Sequence, residues 1–163
     1  MKAEHSVIET IKTRRSFRQF TKKPVSDEVL DKILESGLWA PSRKNNQPWK
    51  FAVVRDSATK QSLSSLTRYA SIIQSASVCI AVFLDHSRVY DRTKDVMAVG
   101  ASIQNMLLTI HSMGLGGVWL GEILKNKDKV GALLEADKNL ELMAVIALGY
   151  PKKSSLRSES EDE

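Results

Sequence analysis

Apolar positions along the chain change period several times, and each change marks an element. Val7, Ile8 and Ile11 recur at helical spacing, which predicts a short first helix over about residues 4 to 13, delivering Arg14, Arg15 and Arg18 at its end. Pro24 then stops any preceding helix, Ser26 is placed to cap a new one, and Asp27 and Glu28 complement the positive end of its dipole. Val29, Leu30, Ile33, Leu34 and Leu38 mark the buried face of this second helix, and Gly37 loosens its end. The pattern breaks from Ala40 to Trp49 into a turn-forming, amide-rich loop, and a strand over Lys50 to Val54 follows directly.

Residues 57 to 75 read as two helical pieces, with Ser57 as a cap and a break near Arg68 and Tyr69. Ser77 to Leu84 is a continuous apolar, β-branched run, expected of a strand covered on both faces in mid-sheet. Between Lys94 and Met113 apolar residues wrap nearly all round a helix, which predicts a long buried one. Gly114, Gly116 and Gly117 end it and open a short strand through Val118 to Gly121, where glycine lets another backbone or a ligand come close. A small helix from Lys127 to Leu134 and an apolar strand from Leu140 to Gly149 complete the pattern, and Pro151 ends the strand. Few strands among many helices, with no strict βαβ alternation and no Gly-x-Gly-x-x-Gly after the first strand, predict an α+β fold.

Composition narrows this to one folding unit. A chain of 163 residues, 42% hydrophobic and 26% charged, suits a single globular domain over residues 1–151 with a serine-rich acidic tail at 152–163. No apolar run approaches the roughly 20 residues that cross a bilayer, and the N-terminus lacks the apolar core of a secretory signal, so cytoplasmic residence is expected. Cys79, inside the apolar run from Val78 to Leu84, reads as a small buried hydrophobe. His5, His86 and His111 show no metal-ligand spacing, no serine sits in a recognisable hydrolase motif, and no metal is assigned.

Charge points to a local anion site. The net charge is +5, but Arg14, Arg15, Arg18, Lys22, Lys23, Arg43 and Lys44 all fall in the first third, while Glu159 to Glu163 is almost wholly acidic. Aromatic residues do not interleave with the basic ones, which argues against a nucleic-acid partner. Arg14, Arg15 and Arg18 with Ser16 between them place three guanidinium groups and a hydroxyl in five residues, a set that matches phosphate oxygens with paired hydrogen bonds. Taken alone, the cluster suits an exposed basic turn equally well. The loop from Pro41 to Trp49 holds two asparagines and a glutamine, groups that donate and accept at the edge of a heteroaromatic ring, or that serve a surface connector anchored by Trp49.

Together these segments resemble the nitroreductase family of flavoenzymes from about Ile8 to Pro151. Arg14-Arg15-Ser16-Phe17-Arg18-Gln19-Phe20 resembles the family's opening Arg-Arg-Ser-x-Arg-x-Phe, and Ala40-Pro41-Ser42-Arg43-Lys44-Asn45-Asn46-Gln47-Pro48-Trp49 resembles its Ala-Pro-Ser-x-x-Asn-x-Gln-Pro-Trp at every named position. Met113 to Gly121 resembles the glycine-rich turn after the family's central helix, and Gly149-Tyr150-Pro151 its usual strand ending. The family often has a small residue where Arg43 stands.

The resemblance implies a central mixed or antiparallel sheet flanked by helices, and a homodimer with FMN at the subunit interface. It implies that Arg14, Arg15, Ser16 and Arg18 bind the FMN phosphate and ribityl groups, that Pro41, Ser42 and Arg43 reach the flavin bound chiefly to the other subunit, and that Asn45 contacts the flavin or positions the loop. Leu120 and Gly121 would present backbone groups to the ring, Arg68 would lie near its pyrimidine, and Arg157, or Lys153 in its place, would be a late phosphate ligand. The implied activity is ping-pong electron transfer from NADH or NADPH to a small acceptor such as a nitroaromatic, quinone or enone. The alternatives are a flavin storage or sensing protein, and specialised flavin chemistry such as reductive dehalogenation or flavin fragmentation. Relative to the family pattern, the C-terminal segment that crosses to the partner is expected to be short, absent or replaced, and the substrate-lid insertion reduced.

Overall fold

A computed structural model describes residues 6–153. Its elements in chain order are α1 (Val7–Thr13), α2 (Asp27–Leu38), β1 (Trp49–Val54), α3 (Ser57–Ser64), α4 (Ala70–Ser75), β2 (Val78–Asp85), α5 (Arg92–Ser112), β3 (Gly116–Leu120), α6 (Lys127–Leu133) and β4 (Leu140–Gly149). Short 3-10 turns lie at Arg43–Asn45 and Glu122–Asn126. Ser26 caps α2 as its position predicts, its Oγ accepting the Val29 N–H at 3.3 Å. Asp56, rather than Ser57, caps α3 by accepting the Thr59 N–H at 2.6 Å, since Ser57 is already inside the helix.

The strands form one sheet in the order β1-β2-β4-β3, and every neighbouring pair is antiparallel. The α+β expectation holds, and the choice between mixed and antiparallel resolves to antiparallel. Every residue of β2 is buried, because the strand is flanked on both edges and covered on both faces. Its alternation sorts two cores: Val78, Ile80, Val82 and Leu84 face α2 and α5, while Cys79, Ala81 and Phe83 join Phe17, Phe20, Leu63, Ile73 and Val130. A register shift opposite Val82 and Phe83 leaves Met143 as an extra residue in β4. That bulge explains why Leu142 and Val145, three residues apart, share a core.

α5 fills the first core with Val99, Ile103, Met106 and Ile110, but it is not covered all round. Met97 is 63% exposed, and Ala101 and Leu108 on the same face are only half-buried. Beside this stripe Trp39 is 79% exposed, and Leu38, Val7, Ile8 and Ile11 are exposed as well. A groove of about 510 Å³ lined by Val7, Trp39, Asn105 and Leu108 runs between the three helices. Leu38 therefore does not belong to the buried face of α2. Helical spacing identifies an apolar stripe but not what covers it, and here a single chain leaves the stripe open.

Gly37 has a different role from a loosened helix end. Its carbonyl accepts the Ser102 hydroxyl at 2.8 Å, and a Cβ at this position would stand 3.0 Å from Met106 Cγ, so glycine is what lets α2 and α5 approach. No helix among the described residues is long and apolar enough to cross a membrane.

Candidate functional site

The arginine segment is stitched to the sheet by its two aromatics. Phe17 and Phe20 are 6% and 2% exposed, while Arg15 and Arg18 are exposed and Arg14 and Ser16 half-buried. The Phe17 N–H donates to the Gly117 carbonyl at 3.1 Å, and Ser16 bridges Gly117 as a one-residue parallel extension of the sheet. Further on, the Thr21 N–H donates to the Tyr150 carbonyl at 2.8 Å and the Lys152 N–H to the Gln19 carbonyl at 3.1 Å. Gly116 lies directly under Phe17, where a Cβ would come within 2.7 Å of the phenylalanine Cβ and Cγ. Gly116→Ala is therefore expected to destabilise the fold by about 2–3 kcal/mol, read as a lower urea midpoint with unchanged m-value.

The three arginines are not equivalent. Arg15 Nη1 donates to the carbonyls of Lys12 and Arg14 at 2.7 and 3.0 Å, closing the C-terminus of α1. Arg14 has no carboxylate partner among the described residues. Lys153 follows the Lys152 N–H that binds Gln19, so it lies beside the segment, whereas Arg157 lies outside the described residues. From Arg14 to Lys23 there is no acidic residue. Guanidinium, hydroxyl and ammonium donors gathered in one short segment fit a phosphate.

A second set of groups gathers at the other end of β3. The Leu120 side chain is buried in the second core, which leaves its backbone as the part able to face a ligand. Gly121 is exposed, and a Cβ there would meet nothing within 4 Å. The next residue, Glu122, accepts from the Thr67 hydroxyl at 2.6 Å and the Arg68 N–H at 3.2 Å, and pairs with Lys125. Lys125 first, then Thr67, hold its carboxyl down at about 2 instead of the ordinary 4.5. Arg68 is thus fastened beside Gly121, with its guanidinium donating to the Tyr69 hydroxyl at 2.7 Å. Gly116 and Gly121 are separated by roughly 16 Å at about 3.3 Å per residue, so one sheet edge has a basic end and an open-backbone end.

The loop before β1 is the third part. Lys44, Asn45 and Gln47 have φ of 51°, 53° and 46°, the left-handed region that side chains enter at a cost of about 1 kcal/mol or more each. Ser42 Oγ holds the turn by accepting the Gln47 N–H at 3.0 Å, and Asn45 Oδ1 accepts from the Gln47 amide at 3.1 Å. The stronger pin is Asn46, whose amide donates to Asp95 Oδ1 at 2.7 Å and to the Arg88 carbonyl at 3.0 Å. Asp95, only 1% exposed, also accepts the N–H groups of Tyr90 and Asp91 at 2.7 and 3.0 Å. Burial pushes this carboxyl up, but the Asn46 amide and the two backbone donors outweigh it and hold it below its ordinary value. Neither Asn46 nor Asp95 stands out in the sequence. Asn46 falls between two motif residues, and Asp95 reads as an ordinary acid in the first turn of a helix.

The loop and the arginine segment lie at opposite ends of α5. Asn46 ties the loop to its first turn at Asp95, whereas Thr13 Oγ1 meets His111 Nε2 at 2.9 Å near its last. Sixteen helical residues separate these contacts, roughly 24 Å at about 1.5 Å per residue. Within one chain the loop of Pro41, Ser42, Arg43 and Asn45 is therefore at the far end of α5 from the arginine segment that follows α1.

Comparison with known proteins adds a consistent picture. The nitroreductase family profile matches residues 11–70 and 60–150. A protein of Archaeoglobus fulgidus assigned as an NADH dehydrogenase/NAD(P)H nitroreductase is 34% identical over 159 residues, spanning 95% of this chain and 91% of the relative. A Desulfovibrio desulfuricans protein assigned as a nitroreductase and crystallised in complex with FMN superposes with a TM-score of 0.89 at 44% identity, covering 94% of this chain and 90% of that one. The NADPH:FMN oxidoreductase of Vibrio harveyi, in complex with NAD+, superposes with a TM-score of 0.84 at 30% identity over 90% of this chain and 69% of that one.

Proposed function

The chain belongs to the nitroreductase family, and from that premise we propose that it is an FMN-dependent oxidoreductase working as a homodimer. Its donor is NADH or NADPH, and its acceptor is a nitroaromatic, quinone or enone, reduced in a ping-pong cycle. FMN, when bound, supplies the redox chemistry of both halves of that cycle. The observation that carries the reading is the β3 edge, where guanidinium, hydroxyl and ammonium donors at one end stand opposite open backbone at the other, as an elongated ligand with an anionic tail and a planar head requires.

Arg14, Ser16 and Arg18 hold the phosphate, with Lys153 as an added cation, and Arg15 steadies the helix end that delivers them. The backbone at Leu120 and Gly121 lies along the ring, and the charge of Arg68 favours electron density at the adjacent ring edge. Pro41, Ser42, Arg43 and Asn45 complete the site from the second copy, since the length of α5 separates them from the arginine segment of their own chain. The open stripe of Met97, Ala101 and Leu108, with Trp39 and the apolar residues of α1, supports such a pairing, because it would be covered by it. Protons come from solvent, so no side chain has to act as acid or base.

Anaerobic addition of NADPH or NADH to the FMN-loaded protein tests this. The visible flavin absorbance is expected to bleach within the dead time of mixing to seconds, and a quinone should restore it. Yellow protein that stays oxidised would favour storage or sensing, and protein that takes up no FMN would exclude every flavin reading.

A further inference from the structure

One carboxylate joins the two segments that the flavin reading brings to the ring. Glu122 follows Gly121 directly, and its Oε2 accepts the Thr67 hydroxyl at 2.6 Å and the Arg68 N–H at 3.2 Å. Further along the same turn, the Asn126 amide donates to the Leu66 carbonyl at 2.8 Å. The turn after β3 therefore grips Leu66, Thr67 and Arg68, which are consecutive residues of the link between α3 and α4. We propose that Glu122 is a positioning residue for the flavin's redox potential, holding the main chain of Arg68 in register with Gly121 so that cation and open backbone meet the same ring. The inference rests on the flavin reading of Gly121 and Arg68.

Leu66 and Tyr69 pack against the second core and place the link, while its polar bonds fix how the main chain is turned. Thr67, buried in the fold, has a hydroxyl that donates to Glu122 and accepts the Tyr69 N–H at 3.2 Å. The carboxylate, the hydroxyl and the amides of Arg68 and Tyr69 thus form one connected set, and bonds to an ionised acceptor are the stronger members of it. The Arg68 side chain is exposed, so its location follows from the main chain that the set holds.

The carboxylate fixes Arg68 without neutralising it. Glu122 binds Arg68 through the backbone and pairs with Lys125 through its other oxygen. The Arg68 guanidinium donates to the neutral Tyr69 hydroxyl at 2.7 Å, and among the described residues no carboxylate pairs with it. Lys125 and Thr67 keep Glu122 ionised, with its carboxyl at about 2, so the clasp persists at any pH used for assay. A cation held beside the ring favours added electron density there, and the effect grows as the distance shrinks. Displacing the Arg68 backbone therefore weakens that effect even though the charge itself remains.

The midpoint potential of bound FMN, measured against a reference dye at saturating FMN and about 0.15 M salt, provides the test. Arg68→Gln is expected to lower the potential and sets the scale of the cation's effect. Glu122→Ala should lower it as well, by at least about threefold in the reduced-to-oxidised ratio, roughly 14 mV for a two-electron couple. The sign is diagnostic, because losing a negative charge beside the ring would by itself raise the potential. Glu122→Gln keeps an acceptor of the same reach and should stay within about 1.5-fold of the parent ratio. In the Arg68→Gln background Glu122→Ala should add no further fall, since a residue that acts through Arg68 then has nothing to position. If Glu122→Ala does not fold, Thr67→Val, which keeps the side-chain shape and removes one donor to the carboxylate, carries the same predictions at smaller size. An unchanged potential in Arg68→Gln, an unchanged or raised one in the clasp variant, a fall in Glu122→Gln as large as in Glu122→Ala, or a fall that persists without Arg68 would each overturn the proposal. Protein that is reduced by NADPH yet shows any of these results loses this inference alone, whereas protein that takes up no FMN loses the flavin reading itself.

Discussion

Arg14→Ala is expected to weaken FMN binding by roughly 10- to 100-fold, the usual worth of a charge-assisted hydrogen-bonded pair that loses one partner. Arg14 is half-buried and has no carboxylate among the described residues to neutralise it, so its guanidinium keeps its full capacity for an anion. Turnover at saturating FMN should fall much less, because a residue placed to hold the cofactor's tail would not touch the reacting ring. Arg14→Lys keeps the charge but loses the planar fork and should lie between the two. Ser16→Ala removes a single neutral donor and should cost less than Arg14→Ala. Fluorescence titration of the apoprotein with FMN reads all of these, and unaltered affinity in Arg14→Ala would remove the residue from the phosphate site.

Leu108→Glu is expected to have the other large effect. Leu108 lines the 510 Å³ groove with Val7 and Trp39 at the centre of the uncovered apolar face, where pairing would bury it. A carboxylate buried there without a partner costs about 3–5 kcal/mol, enough to weaken the dimer by roughly a hundredfold or more. The monomer should still fold, since the substitution faces away from both cores and Leu108 is half-buried in the single chain. Sedimentation should show the smaller species, with an unchanged helical circular dichroism spectrum and greatly reduced FMN retention. A variant that is monomeric yet binds FMN like its parent would show that the cofactor needs only one chain.

Local patterns carried most of the fold into view, and contacts between distant segments account for what they missed. The run from Val78 to Leu84 reads as a doubly covered strand because seven consecutive apolar residues leave no polar face, and β2 is buried throughout. The open side of α5 was not legible, because Met97 and Leu108 look no different from Ile103 until α2 and the sheet are placed. Gly37 looks like a helix breaker until Met106 and Ser102 are packed against it. The motif residues of the candidate site lie in three short, contiguous segments, which is why sequence alone could single them out. Asn46 and Asp95, which fix the shape of the loop, act on each other across 49 residues of chain and show nothing locally. The contacts of Arg15 Nη1 with the carbonyls that end α1 are likewise not visible from its place in the arginine cluster.

Sharing of each site between two chains is the claim on which the rest depends, and a heterodimer tests it most directly. One chain would carry Arg14→Ala and Arg18→Ala, the other Ser42→Ala and Asn45→Ala, with different affinity tags so that only mixed dimers are purified. If the phosphate end and the loop come from different chains, both damaged halves fall in one site and the other site is intact. The mixed dimer should then bind one FMN with parental affinity, while neither parent homodimer does. A mixed dimer with no high-affinity FMN site would contradict the account, because both halves of the site would then have to belong to a single chain.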